Sequence, residues 1–249
     1  MEVLIAGESW VTHSTHIKGF DTFTTCSYEE GVQWLRAALE RAGHHVHFLP
    51  NHLVSRQFPT TVPELSAYQI VMLSDCGSNT LLLHPDTFVK SESTPNRIAA
   101  LRDYVAEGGA LVMIGGYMTF QGIDGKARYR GSAVEEALPV MMQAVDDRVE
   151  MPEGSRPVVL RPDHPILRGI DGEWPVFLGY NRLTARPNAT VLLRMGREDP
   201  FLTVWEFGKG RSAAFASDCG PHWGPPEYLT WVHHDRFWAQ LVGWLGRQS

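Results

Sequence analysis

The sequence predicts a doubly wound α/β fold, a mostly parallel sheet with helices on both faces. Three observations carry that expectation. Short apolar runs recur without polar alternation, as strands buried on both faces require. Segments with helical periodicity stand between them, and glycines follow those segments where a helix must stop. With 249 residues, 43% hydrophobic and 20% charged, the chain fits one large domain over 1–249.

In chain order, Val3 to Ala6 reads as the first strand, and a polar loop rich in Thr and His follows. Ser27 stands three residues before Glu30, the spacing of a capping box, and Val32, Leu35, Leu39 and Ala42 then recur at helical intervals. Gly43 ends that helix, Val46 to Leu49 resumes as a strand, and Gln69 to Leu73 gives a third. Arg97 to Glu107 is a helix closed by Gly108 and Gly109, after which ALVMI supplies a fourth strand. This alternation implies a flavodoxin-like arrangement for the first half. Beyond Gly131 the runs VVLRP, PVFLGY, TVLLRM, FLTVWEFG and RSAAFAS predict an additional β-rich C-terminal portion. The last two should pair as a hairpin about Gly208 to Gly210. Asp235 to Leu245 sets Phe237, Leu241, Trp244 and Leu245 on one helical face.

A formal charge of -6 and a pI near 6.0 give no basic field of the kind nucleic acid requires. No apolar run approaches the roughly 18 residues of a membrane span, and MEVLIAGES looks like a first strand, not a secretion signal. Three cysteines, Cys26, Cys76 and Cys219, are too sparse for a disulfide framework and fit a reducing cytoplasm. The apolar last helix and eight tryptophans suit either a homo-oligomer face or core packing.

The tetrapeptide SDCG occurs twice, at Ser74 to Gly77 and Ser217 to Gly220, each time closing an apolar run. In open α/β sheets ligands collect outside the carboxyl ends of the strands. SDCGSN, GGYMTFQG and SDCGPHWG are all expected there. Asp75 and Asp218 are then caps for the following turn or ligand contacts, while Cys76 and Cys219 are either small buried hydrophobes or working thiols. His13, His16 and Lys18 fall in the loop after the first strand, at the same edge. THSTHIKG lacks helical character and a nearby acidic third ligand, so no metal is expected, and nothing implies a cofactor. His222, Trp223, His233 and His234 crowd one segment, which lines a pocket or covers the sheet edge.

The register of Gly115, Gly116, Tyr117, Met118, Thr119, Phe120 and Gln121 resembles the nucleophile elbow of class I glutamine amidotransferases, Gly-x-Cys-x-Gly-x-Gln. Gly115 and Gln121 match, whereas Tyr117 takes the cysteine's place and Thr119 the second glycine's. The second SDCG lies where those enzymes carry His-Pro-Glu. Over nearly its full length the chain is similar to class I glutamine amidotransferase-like proteins, through GESWVTHSTHIKGFDTF, GGYMTFQG, DHPILRGI, GKGRSAAFASDCGPHWG and FWAQLVGWL. The resemblance implies their flavodoxin-like fold, with the first SDCG beside the elbow, but without the standard triad.

The expected site therefore holds Cys76, Tyr117, Cys219 and His222 as catalytic candidates. His13, His16, Asp75, Gly116, Gln121, Asp218 and Trp223 are the ligand-binding candidates. Cys76, Tyr117, Asp218 and His222 should border one cleft within about 12 Å, two to three strand spacings. Tyr117 should occupy a tight strand-to-helix turn. The leading expectation is a protein that binds or processes a small molecule at this edge without ordinary glutamine hydrolysis. The alternatives are a cysteine-dependent amide or ester hydrolase using Cys76 or Cys219, with His222 as base and amides near Gly116 as oxyanion donors, and a non-catalytic binding or assembly module.

Overall fold

A computed structural model describes residues 1–248. One eight-stranded sheet runs through it, in the order β4 (His45–Pro50), β1 (Glu2–Gly7), β5 (Ile70–Ser74), β6 (Ala110–Ile114), β14 (Gly210–Phe215), β13 (Asp199–Phe207), β12 (Thr190–Met195) and β9 (Val158–Val159). The first five are mutually parallel and the last three antiparallel. β13 and β14 form the hairpin that FLTVWEFG and RSAAFAS predict. The β-rich C-terminal portion thus extends the main sheet, and two small antiparallel pairs flank it: β8 (Arg148–Ser155) with β10 (Phe177–Asn181), and β7 (Val140–Met142) with β11 (Leu183–Ala185).

Every residue of β5 and β6 is buried, because helices cover both faces of a parallel sheet. Helix α1 (Gln33–Arg41) packs with α9 (His234–Leu245), while α6 (Arg97–Glu107) packs with α3 (Val62–Leu65), α4 (Ser78–Leu82) and α7 (Ala133–Ala137). The remaining short helices are α2 (Asn51–Gln57), α5 (Pro85–Lys90) and α8 (Pro226–Leu229). Asn96 caps α6 by accepting from the amides of Ile98 and Ala99. The last helix spends its apolar face in the core, where Phe237, Trp238, Leu241 and Leu245 are buried.

The segment after β1 differs from its expected form. It is not a loop: β2 (Ser9–Lys18) and β3 (Asp21–Glu30) make an antiparallel hairpin whose residues beyond the base are exposed on both faces. Ser27 and Glu30 lie in β3, so no capping box exists there, and α1 begins at Gln33 after the N-cap Val32, which gives no side-chain cap. The Thr-rich run alternates like a strand and, with neither face buried, leaves no apolar stripe to announce one.

Candidate functional site

Strand order reverses between β1 and β5, and the carboxyl ends of these two strands meet there. Gly7 pairs with Ser74, and its close approach leaves no room for a side chain: a Cβ on Gly7 would stand 1.8 Å from the Ser74 carbonyl oxygen. Glu8 and Asp75 follow directly. Both are non-glycine residues at positive φ, 42° and 46°, and His222 on the third approaching loop lies at 117°. Backbone strain gathered at one spot is characteristic of functional loops held by surrounding structure.

The two SDCG copies do meet. Ser74 Oγ lies 3.6 Å from Cys219 Sγ and donates to Glu8 Oε2 at 2.5 Å. A cleft of about 260 Å³ opens above them, lined by Glu8, Trp10, Asp75, Tyr117, Asp218, Pro221 and His222. Its floor is acidic and its walls are aromatic. A larger groove, about 680 Å³, runs beside α9 among Arg168, Arg211, Arg236 and Arg247. Three of those arginines already donate to the carbonyls of Trp244, Gly169 and Lys209, and the groove offers no acid or nucleophile.

Burial, reinforced by the Asp218 and Asp75 carboxylates, holds Glu8 well above the usual carboxylate range. Burial and the Asp75 charge do the same for Asp218, and burial raises Asp75 despite its hydrogen bonds. Three carboxylates facing one another out of water cannot all stay ionised without a cation among them. His222 has its Nδ1 3.6 Å from Asp218 Oδ2, and burial lowers its pKa, so it favours the neutral form.

The aromatic wall is fixed from behind. Tyr117 OH donates to Glu150 Oε1 at 2.9 Å and Trp223 Nε1 donates to Glu150 Oε2 at 3.0 Å. The Arg148 guanidinium sits 4.5 Å from the Tyr117 ring centre. The Tyr117 and His222 rings meet edge to face, with centroids 4.3 Å apart, and His222 stacks on Trp223. Asn181 holds both polar groups of Gly116, accepting from its amide at 3.0 Å and donating to its carbonyl at 3.1 Å. Sequence reasoning missed Glu8, Trp10, Glu150 and Asn181. Glu8 had a signal: like Asp75, it is the first residue after a parallel strand.

Several expected site residues lie elsewhere. His13 and His16 are exposed on the hairpin, carried away from the edge by the β2–β3 pairing. Cys76 is fully buried with its thiol pushed up to about 12, chiefly by burial; its carbonyl accepts from Tyr129 OH. Cys219 is also fully buried and its thiol is raised by burial and by Glu8 and Asp218. Neither sulfur lines the cleft, and neither is poised as a thiolate. Gln121 does not line it either, its main-chain amide donating to Asp147. Trp223 backs the cleft without lining it.

The elbow is also not built as expected. No helix starts directly after β6; residues 115–122 form irregular turns, with positive φ at Gly116, Phe120 and Gly122, and only a 3-10 turn, Ile123–Gly125, follows them. Asp75 Oδ1 accepts from the Met118 amide at 2.6 Å, and the Tyr117 amide also supports that carboxylate. Amides that would serve as oxyanion donors are therefore occupied by a side chain of this protein. Among the described residues, Glu8, Asp218 and Cys219 offer ligand atoms within 4.8 Å of one another, as do Glu2, His45 and His47 at the amino ends of β1 and β4.

A family model described as "Putative glutamine amidotransferase" matches residues 2–247. Cytoplasmic protein STM3548 from Salmonella typhimurium is 42% identical, with TM-score 0.95, over 98% of this chain and 99% of that one. Cytoplasmic protein STM1381 from Salmonella typhimurium LT2 is 44% identical, with TM-score 0.94 and the same coverage. A β-galactosidase from Bacillus circulans sp. alkalophilus matches at 18% identity and TM-score 0.52, over 87% of this chain and 26% of its own, a likeness of fold alone. No curated protein matches. The full-length match shows that this chain belongs to the GATase1_like family of glutamine amidotransferase-like proteins.

Proposed function

We propose that the cleft binds a small organic cation, an amine or guanidine compound, and works through carboxylates and not through a thiol. The observation that carries this reading is the convergence of Glu8, Asp75 and Asp218 on one cleft walled by Trp10, Tyr117 and His222. A cation entering between these groups releases a proton, supplies the missing counter-charge and stacks on aromatic faces. A single positive charge balances only part of this cluster, so a proton remains shared among Glu8, Asp75 and Asp218, and protonated and ionised carboxyls stand side by side as acid–base chemistry uses them. The parallel-strand order, counted along the chain as second, first, third, fourth and fifth, supports the flavodoxin-like reading, in which ligands bind at a switch point such as that beside the cleft. The names of the Salmonella relatives support a cytoplasmic setting; no helix among the described residues is long and apolar enough to cross a membrane.

Thermal-shift titration tests the reading, using small primary amines and guanidines against neutral and carboxylate analogues of matched size. Cations should raise Tm by several degrees at 100 times their Kd, a stabilisation of about 2.7 kcal/mol, and Asp218→Asn should abolish the shift. Equal shifts from anionic analogues would overturn it. So would rapid alkylation of Cys76 or Cys219 in the folded protein, which would restore the thiol hydrolase.

A further inference from the structure

We infer that the β2–β3 hairpin is a dimerisation arm that pairs, two-fold symmetrically, with the same hairpin of a second copy of this chain. Each strand has ten residues, so the arm is about 33 Å long. It rests on the body only at its base: Asn51 of α2 donates from its main-chain amide to Ser9 Oγ, and His52 stands edge-on to Tyr28 with ring centroids 5.3 Å apart. An isolated two-stranded hairpin is at best marginally stable in water. This one nevertheless exposes Val11, Ile17, Phe20, Phe23 and Tyr28.

The pairing register assigns the strand residues to two unlike faces, with Phe20 in the turn between the strands. One face carries Trp10, Thr12, Ser14, His16 and Lys18 across from Glu29, Ser27, Thr25, Phe23 and Asp21. It holds three charges, His16 stacks on Phe23 at 4.5 Å, and Trp10 turns into the cleft. The other face carries Ser9, Val11, His13, Thr15 and Ile17 across from Glu30, Tyr28, Cys26, Thr24 and Thr22. A single carboxylate, at its base, is its only ordinary charge. Depletion of charge marks the core of an interface.

That second face is complementary to itself. Apolar groups lie at both ends, Val11 and Tyr28 at the base and Ile17, followed by Phe20, at the tip, with small polar residues between. The His13–Cys26 pair is near its centre. A two-fold axis through the centre lays the tip of one arm on the base of the other, apolar on apolar at both ends, which is what an isologous contact requires. Helix α2 beside Tyr28 gives each incoming tip a shelf, and the cleft stays open on the opposite face. One arm face measures roughly 30 by 10 Å, about 600 Å² over the two copies and below the ~1,200 Å² of stable specific interfaces, so the pair is weak and should dissociate with dilution. The arm is not peculiar to this chain: the Salmonella matches leave only about 2% of it uncovered, far less than a hairpin spanning Ser9 to Glu30.

Light scattering and sedimentation of the full chain test the arm, with far-UV circular dichroism confirming the fold. Wild type should run as twice the monomer mass at high concentration and dissociate on dilution. Ile17→Asp with Phe20→Asp should be monomeric throughout, whereas Lys18→Glu, on the other face, should keep the dimer. Mild oxidation or a short bismaleimide should link two copies through Cys26, the exposed cysteine, and Cys26→Ser should abolish the link. A monomeric wild type at about 100 µM, a doubly substituted arm that still dimerises, or no Cys26 link in a dimer would each overturn the proposal.

Discussion

Asp218 contributes a pH dependence of its own to the stability of the molecule. Its folded pKa and that of Glu8 lie above the unfolded values, chiefly through burial, so the native state holds more protons than the unfolded chain once pH exceeds the ordinary carboxylate range. Their contribution is therefore fully present below that range and is lost as pH rises toward the raised values. The buried histidines His222 and His234 act in the opposite sense, since burial lowers their pKa values and favours the fold above the usual histidine range. Comparing wild type with Asp218→Asn at each pH separates the two effects. The variant should gain stability relative to wild type as pH rises from about 5 to 8, by about 1.4 kcal/mol for every tenfold difference in proton affinity between the folded and unfolded Asp218 carboxyl. Chemical denaturation across that range checks it, and a difference independent of pH would mean that Asp218 is ionised in the folded protein.

At the scale of elements, the strand ends build the site by close approach, and Gly31 is the clearest case. It follows β3 directly, and a Cβ there would stand 2.2 Å from Glu8 Oε1. Gly31→Ala should push the Glu8 carboxylate from its bond with Ser74 and cost about 1–3 kcal/mol. Adding Glu8→Ala should restore most of that loss, because the clashing group is gone, and a double-mutant cycle measures the coupling. Additive losses would place the strain in the backbone. Strands β1, β5 and β6 were legible because each carries an unbroken apolar run, and the SDCG echo correctly marked two strand ends that meet. The arm was not legible: THSTHIKG and TFTTCS bury neither face, so the alternation that reveals a strand had no apolar half. His13 and His16 were assigned to the site for that reason. Trp10 was missed with them, being the arm residue that turns back into the cleft. Glu150 and Asn181 lie on small flanking strands far along the chain, and only the tertiary fold brings them to Tyr117 and Gly116.

Across the whole molecule, a mostly parallel sheet brings its strand ends together without setting a thiol in the cleft. Acyl transfer from glutamine needs a thiolate, a base and free oxyanion donors together. Here Tyr117, which the sequence register aligns with the nucleophile, is tied to Glu150, and Asp75 occupies the Met118 amide. Both SDCG cysteines are sealed in the core. Restoring the sulfur alone should not restore the reaction. Tyr117→Cys would set a thiol among Asp75, Asp218 and Glu8, whose charges oppose thiolate formation, and Asp75 would still fill the donor position. Ammonia release from glutamine should therefore be undetectable in wild type and in Tyr117→Cys alike. Tyr117→Cys with Asp75→Gly frees the amides and removes one opposing charge, and its thiol should alkylate faster than that of the single variant. Turnover of order 1 per second by the single variant would show that the carboxylates do not govern this site, and would return the cleft to amidotransferase chemistry.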